Sequence, residues 1–257
     1  MREKKSDDEL LLAKVADKQK ICGSKNRITY TDFLNKKEQV LISKNINLKN
    51  CFFYGVNDNA DRKILVFYPE KFNEELARKM LDKILAVIRI ELPNDLKGSY
   101  EHRNYLSAII KIGVDRCKIG DILVDENGAD IIVFDVNKEF IKQSLMELTR
   151  FKKSKIDVIP LEDIRLKKDC FEEFSIIISS MRIDNIVSEI VGCSRSRAEE
   201  YIASERVFVN YETILKLSKV VSEGDVVTIR GKGKFIIDGL VRNTKNGKSV
   251  IKLRKYA

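Results

Sequence analysis

Between residues 84 and 161 short apolar runs alternate with amphipathic stretches in one order, and that order limits the possible folds more than any other feature of the chain. Residues 84–92 are dominated by Val, Ile and Leu and read as a strand. In 102–112, Tyr105, Leu106, Ile109 and Ile110 fall on one helical face. Residues 119–124 and 130–136 read as two strands, with Asn127-Gly128 as a hairpin turn between them. In 138–148, Phe140, Ile141, Leu145 and Leu148 form the buried stripe of a second helix, and 156–161 reads as a final strand. The sum is β-α-β-β-α-β, the ferredoxin-like pattern, which places two helices on one face of an antiparallel sheet.

The same fold underlies the RNA recognition motif, which stacks bases on aromatics of its central strands. The glycine- and aromatic-rich signature is missing here, and Phe134 reads as core. Upstream, residues 7–22 read as a helix through Leu11, Leu12, Val15 and Ala16, and Thr31-Asp32 reads as the start of a second helix reaching about residue 43. Residues 51–56 and 63–68 read as strands joined by Asn57-Asp58-Asn59, and 72–81 as a helix. A strand-like run covers 171–180. The expectation is an α+β protein in three parts. These are a small N-terminal α/β region over 1–82, a ferredoxin-like (RRM-like) βαββαβ domain over 83–180, and a basic C-terminal domain over 181–257. No Pro/Gly-rich linker separates them.

Charge separates the parts. The chain carries +9 overall, but residues 181–257 hold 15 Lys+Arg against 9 Asp+Glu. From residue 230 onward there are nine basic residues and one acid, Asp238. So uneven an excess is the footprint of a polyanion partner, nucleic acid in the first place. Other classes recede. No apolar run approaches a membrane span. The polar start does not read as a secretory signal. Five scattered cysteines without a CxxC pair fit reduced thiols in a cytoplasmic protein. With one histidine in the chain, a zinc site is not expected. Gly231-Lys232-Gly233-Lys234 lacks the P-loop spacing and reads as a basic hairpin turn, as does Asn246-Gly247. No cofactor, metal or catalytic residue is expected.

The densest constellation begins at Arg182. Ile183, Ile186, Val187, Ile190 and Val191 make one helical face, and Gly192 ends the helix. The next helix starts within Cys193–Glu199, with Ser196 and Glu199 as a capping box and Ser194 as a competing cap. Arg195 and Arg197 sit in that helix's first turn, where unpaired N–H groups and the helix dipole already favour an anion. A phosphate there could be gripped by backbone and guanidinium together.

At these residues a resemblance enters. Arg182-Ile183-Asp184, Ser194-Arg195, Ala198, Ile202, Val207, Val209-Asn210 and Gly224-Asp225 resemble the S-four-like (αL) RNA-binding domain. Glu205 and Tyr211 stand where that family has glycine. The aromatic at 211 is similar to the YlmH subgroup. Residues 100–108, followed by Gly113 and Lys118–Ile122, resemble the same subgroup's middle domain. The resemblance implies binding to ribosomal RNA on the large ribosomal subunit. More weakly, it implies roles in translation, ribosome quality control and a cell-division gene neighbourhood. Candidate RNA contacts are Arg182, Ser194, Arg195, Ser196, Arg197, Arg206, Asn210, Lys216, Arg230, Lys232 and Lys234, with Asp184 and Asn210 expected to hold local geometry. Transfer RNA is a further candidate partner, and the middle domain a candidate protein-binding surface. The alternative is an RNA-modifying enzyme tethered by the basic domain. Against it, His102-Arg103 is followed by Asn104-Tyr105 and lacks a pseudouridine synthase's aspartate, and no methyltransferase glycine loop is present.

Overall fold

A computed structural model describes residues 6–57, 60–81, 84–165, 171–244 and 247–256, and divides the chain into two compact units, 1–166 and 167–257. The Asn57-Asp58-Asn59 and Asn246-Gly247 turns lie partly outside the described residues.

The first unit opens with α1 (Asp7–Lys25). Its Ser6 cap accepts from the Glu9 N–H, and Glu9 accepts from the Ser6 N–H in return. Next comes β1 (Thr29–Tyr30), where a helix start was expected nearby at Thr31-Asp32. Thr31 instead accepts the Leu65 N–H through its hydroxyl, which ties it to the sheet. The helix, α2 (Lys36–Asn45), starts after Asn35, which forms a reciprocal cap with Glu38. β2 (Cys51–Tyr54) and β3 (Ile64–Phe67) complete a three-stranded sheet ordered β1-β3-β2, and α3 (Glu74–Leu81) follows.

The middle of the chain forms β4 (Leu85–Glu91), α4 (His102–Lys111), β5 (Ile119–Asp125), β6 (Gly128–Phe134), α5 (Lys138–Glu147) and β7 (Lys155–Ile159). The sheet order is β5-β6-β4-β7, all antiparallel, which is the ferredoxin-like arrangement. The β5–β6 turn is centred on Glu126-Asn127, one residue earlier than expected, because Asp125 pairs with Gly128. Gly128 has φ +152°, and a Cβ there would stand 1.9 Å from the Ile90 carbonyl oxygen, so β4 can pair this closely only with glycine.

The sheet's two faces have different partners. Ile88, Ile90, Ile131 and Val133 pack with Tyr105 and Ile109 of α4 and with Ile141 and Leu145 of α5. On the other face, Leu85, Ile132 and Phe134 pack with Phe33, Ile64 and Val66 of the N-terminal region. Phe134 lies 4.8 Å from Phe33 and 5.7 Å from Tyr30, ring to ring. Arg62 donates to the Ile119 and Phe33 carbonyls, and Asp121 accepts from the Asp61 and Arg62 N–H groups, joining the two parts at a second place. The face on which an RNA recognition motif stacks bases is therefore core.

The second unit contains β8 (Phe171–Ile178), α6 (Ile183–Val191), α7 (Arg195–Ala203), β9 (Val207–Val209), β10 (Glu212–Thr213), β11 (Val226–Ile229), β12 (Gly233–Asn243) and β13 (Ser249–Tyr256). They form a six-stranded sheet ordered β10-β9-β11-β12-β13-β8. The run at 171–178 was expected to close the middle domain. It pairs instead with β13 along its whole length, from Phe171↔Tyr256 to Ile178↔Ser249. The boundary between compact units accordingly precedes β8 instead of falling at 180/181. Helices α6 and α7 cover one face of the sheet, burying Ile183, Ile186, Val187, Ala198 and Ile202 against Val207, Val209, Val227, Ile229 and Phe235.

Candidate nucleic-acid interface

Helix α6 turns back into α7 through Gly192, whose φ of +69° and N–H to the Ser188 carbonyl close the helix in a left-handed cap. Ser194 is the N-cap of α7, in extended conformation and accepting the Arg197 N–H at 3.4 Å. Ser196 lies inside the helix, so the Ser196–Glu199 capping box does not form. Arg195 and Arg197 occupy the first turn.

The hairpin brings the start of α7 onto the start of α6. Asp184 is fully buried in the first turn of α6. Arg182 donates to it through Nε at 3.1 Å and Nη2 at 2.8 Å, and Arg195 through Nε at 3.0 Å and Nη2 at 2.7 Å. The Asn185 N–H donates to the same carboxylate. Burial by itself would raise the Asp184 carboxyl pKa, but the hydrogen bonds from Arg182 and Arg195 outweigh it and hold the group below its ordinary value. Both arginine side chains stay partly exposed, at 39% and 51%. A guanidinium has five N–H donors. Each of these spends its Nε and one Nη2 hydrogen on Asp184, so the remaining donors can meet another anion.

Further basic residues gather by backbone pairing. The Ile183 N–H donates to the Lys219 carbonyl, and the Val221 N–H to the Met181 carbonyl. This lays the turn from Lys216 to Lys219 beside Arg182. Lys216 was expected among the contacts, whereas Lys219 was missed, because only the strand-like bridge between Arg182 and Val220 places it here. Arg197 is exposed, with no carboxylate partner among the described residues.

The other predicted residues lie elsewhere. Arg206 follows the C-terminal end of α7, about 13 Å along a helix of nine residues from Arg195. It donates to the Arg230 carbonyl and lies over the Tyr201 ring at 4.4 Å. Arg230 lies over Phe208 at 5.0 Å, and Lys234 over Tyr256 at 4.7 Å. Lys232 is exposed in the β11–β12 turn. Asn210 is a structural residue here: its side-chain amide donates to Asp225 and its carbonyl oxygen accepts the Val226 N–H. Asn210 and Tyr211 form the two-residue β9–β10 turn with φ of +50° and +67°, and Glu205 has φ +56°. The two positions where glycine was expected thus both adopt the left-handed backbone that favours glycine.

In the first unit, His102 opens α4, and burial lowers its pKa, with Arg116 adding to the effect. Asn104 accepts the Glu101 N–H and caps the helix, and Tyr105, fully buried, stands where a synthase would carry its aspartate. No group of three or more His, Cys, Asp or Glu side chains among the described residues could hold a metal ion.

Two stretches of the chain match known family models. Residues 78–163 match the model of the putative RNA-binding domain in YlmH, and residues 181–227 match that of the S4 domain. The chain is 27% identical over 252 residues to the ribosome-associated protein quality control protein P2 of Bacillus subtilis (strain 168), covering 95% of this chain and 93% of that protein. A solved structure, the cell division protein ylmH from Streptococcus pneumoniae, aligns with TM-score 0.49 and 18% identity over 64% of this chain and 99% of its own. The chain thus carries, in this order, a match to the putative RNA-binding domain in YlmH and a match to the S4 domain.

Proposed function

We propose that the protein binds structured RNA without catalysing a reaction, and that its target is ribosomal RNA of the large ribosomal subunit in the cytoplasm. Transfer RNA held on that subunit is a second partner within the same reading. The observation that carries the proposal is the carboxylate-centred clamp of Arg182, Asp184 and Arg195 at the N-terminus of α7. It fixes two guanidinium groups beside the first-turn backbone N–H groups of α7 and beside Arg197, which has no carboxylate partner among the described residues. Phosphate contacts of this kind position a protein on folded RNA without reading sequence. The S4 match supports RNA as the ligand, and the name of the Bacillus subtilis relative supports the ribosome and its quality control as the setting. The covered sheet of the ferredoxin-like part moves the RNA contact away from its strands and leaves its outer helices as a candidate surface for a protein partner.

The test is co-sedimentation of the full chain with purified small and large ribosomal subunits. Saturable binding to the large subunit, lost in an Arg182→Ala/Arg195→Ala/Arg197→Ala variant, is the expected result. Equal binding to both subunits, or none at moderate salt, contradicts the proposal.

A further inference from the structure

The C-terminal sheet has a second face, which neither α6 nor α7 covers, and its composition is unlike a solvated sheet surface. Side chains alternate along a strand. Val207 and Val209 enter the core, so Phe208 points the opposite way. Strand register continues the row: Phe208 pairs with Thr228, Thr228 with Lys234, and, at the far edge, Tyr256 with Phe171. The Lys234 ammonium reaches the Tyr256 ring and closes the row. From β9 to β8 the row crosses five strands, about 19 Å at the usual strand spacing. On the open side of an antiparallel sheet polar residues are the rule. Here three partly exposed aromatic rings occupy such positions, and the core on the other face is complete without them.

Each ring has a cation on it: Arg230 at 5.0 Å from Phe208, Lys234 at 4.7 Å from Tyr256, and Arg254 at 4.9 Å from Phe171. Arg254 is also paired with Asp238. By contrast, Arg206, Arg230 and Lys232, at the β11–β12 turn, have no carboxylate partner among the described residues. Positive charge at that end of the row is therefore uncompensated.

We infer that this face is a second RNA surface, built for single-stranded RNA. Unpaired bases offer ring faces for stacking, and the phosphates between them meet the interleaved cations. A duplex hides its base faces and would gain only the charge term. An acidic peptide would satisfy the cations and leave the rings unused. The inference goes beyond the structured-RNA reading and uses none of the residues that carry it.

The chain contains no tryptophan, so a Phe208→Trp variant places one indole reporter in the row. Titration of this full-length variant with a short oligouridylate should quench the indole emission, as stacking requires. In parallel, a Phe208→Leu/Tyr256→Leu variant keeps apolar bulk and removes the rings. Stacking on one aromatic changes affinity about 5- to 150-fold, so this variant should bind labelled oligouridylate at least about tenfold more weakly, with duplex RNA binding unchanged. Indole emission that stays constant at saturating oligonucleotide overturns the inference. So does an unchanged affinity of the leucine variant, or a wild-type chain that binds no oligouridylate in low salt. The Arg182→Ala/Arg195→Ala/Arg197→Ala variant should retain oligouridylate binding, so the two proposals fail separately.

Discussion

Arg195 approaches Asp184 side-on, its Nε and Nη2 lying 3.0 and 2.7 Å from one carboxylate oxygen, Oδ2. Arg182 reaches the same carboxylate from the start of the neighbouring helix. A carboxylate in the middle of a basic site weakens its attraction for phosphate. Its retention there makes sense if it sets the direction of two long side chains that would otherwise sample many rotamers.

Charge and positioning then predict opposite results for Asp184→Asn. Removing a negative charge should tighten RNA binding if only net charge matters. If Asp184 aims the arginines, the variant binds more weakly despite its higher positive charge. It should also lose stability, by about 2 kcal/mol, because charge-assisted hydrogen bonds are lost while the half-exposed arginines regain water. Urea unfolding and RNA titration of the same variant check both.

The same carboxylate gives the fold an acid limit. Its pKa is lowered on folding, so its contribution is complete above the unfolded value of about 4 and is lost as pH falls through the folded value. The stability difference between wild type and Asp184→Asn should therefore be constant near neutrality and shrink below about pH 4. A difference that grows on acidification contradicts the assignment.

Glu205 holds a left-handed backbone with an exposed side chain. Glu205→Gly should raise stability by up to about 1 kcal/mol, since the strain relieved exceeds the entropy that glycine adds to the unfolded chain. Tyr211→Gly should gain less, because the Tyr211 ring also carries Lys234 at 5.4 Å. Thermal melts of the two variants rank them.

Phe134 tests the reading of the middle sheet. It is packed between Phe33 and Tyr30 at 5% exposure. Phe134→Ala should cost about 3–5 kcal/mol of stability and leave RNA affinity unchanged wherever the variant is folded. A specific loss of affinity in a folded variant would return the sheet to the RNA-binding surface.

Much of this was legible in the chain. The ferredoxin-like order followed from the alternation of short apolar runs with helical stripes over 84–161, whereas the burial of β4 and β6 on both faces did not. The α6–Gly192–α7 hairpin followed from an apolar stripe and a left-handed cap. The Asp184 clamp did not, since Arg182 and Arg195 are thirteen positions apart and meet only once the hairpin folds. One sign was present: Asp184 stands three residues before Val187, on the apolar side of its helix, and a buried carboxylate needs cations. Strand β8 was misplaced because its partner, β13, follows some seventy residues later, and no local pattern records a pairing so distant. The cation–ring row was missed for the same reason. Its members come from β8, β9, β12 and β13, and only sheet order makes them neighbours.

The most direct test of the central claim is the salt dependence of large-subunit binding for wild type and for Arg195→Ala. If the Asp184-held guanidinium meets phosphate, affinity falls at every salt concentration and the log–log slope becomes shallower by about 0.7–0.9. Parallel lines of equal slope and affinity would show that Arg195 only braces Asp184, and would contradict the account.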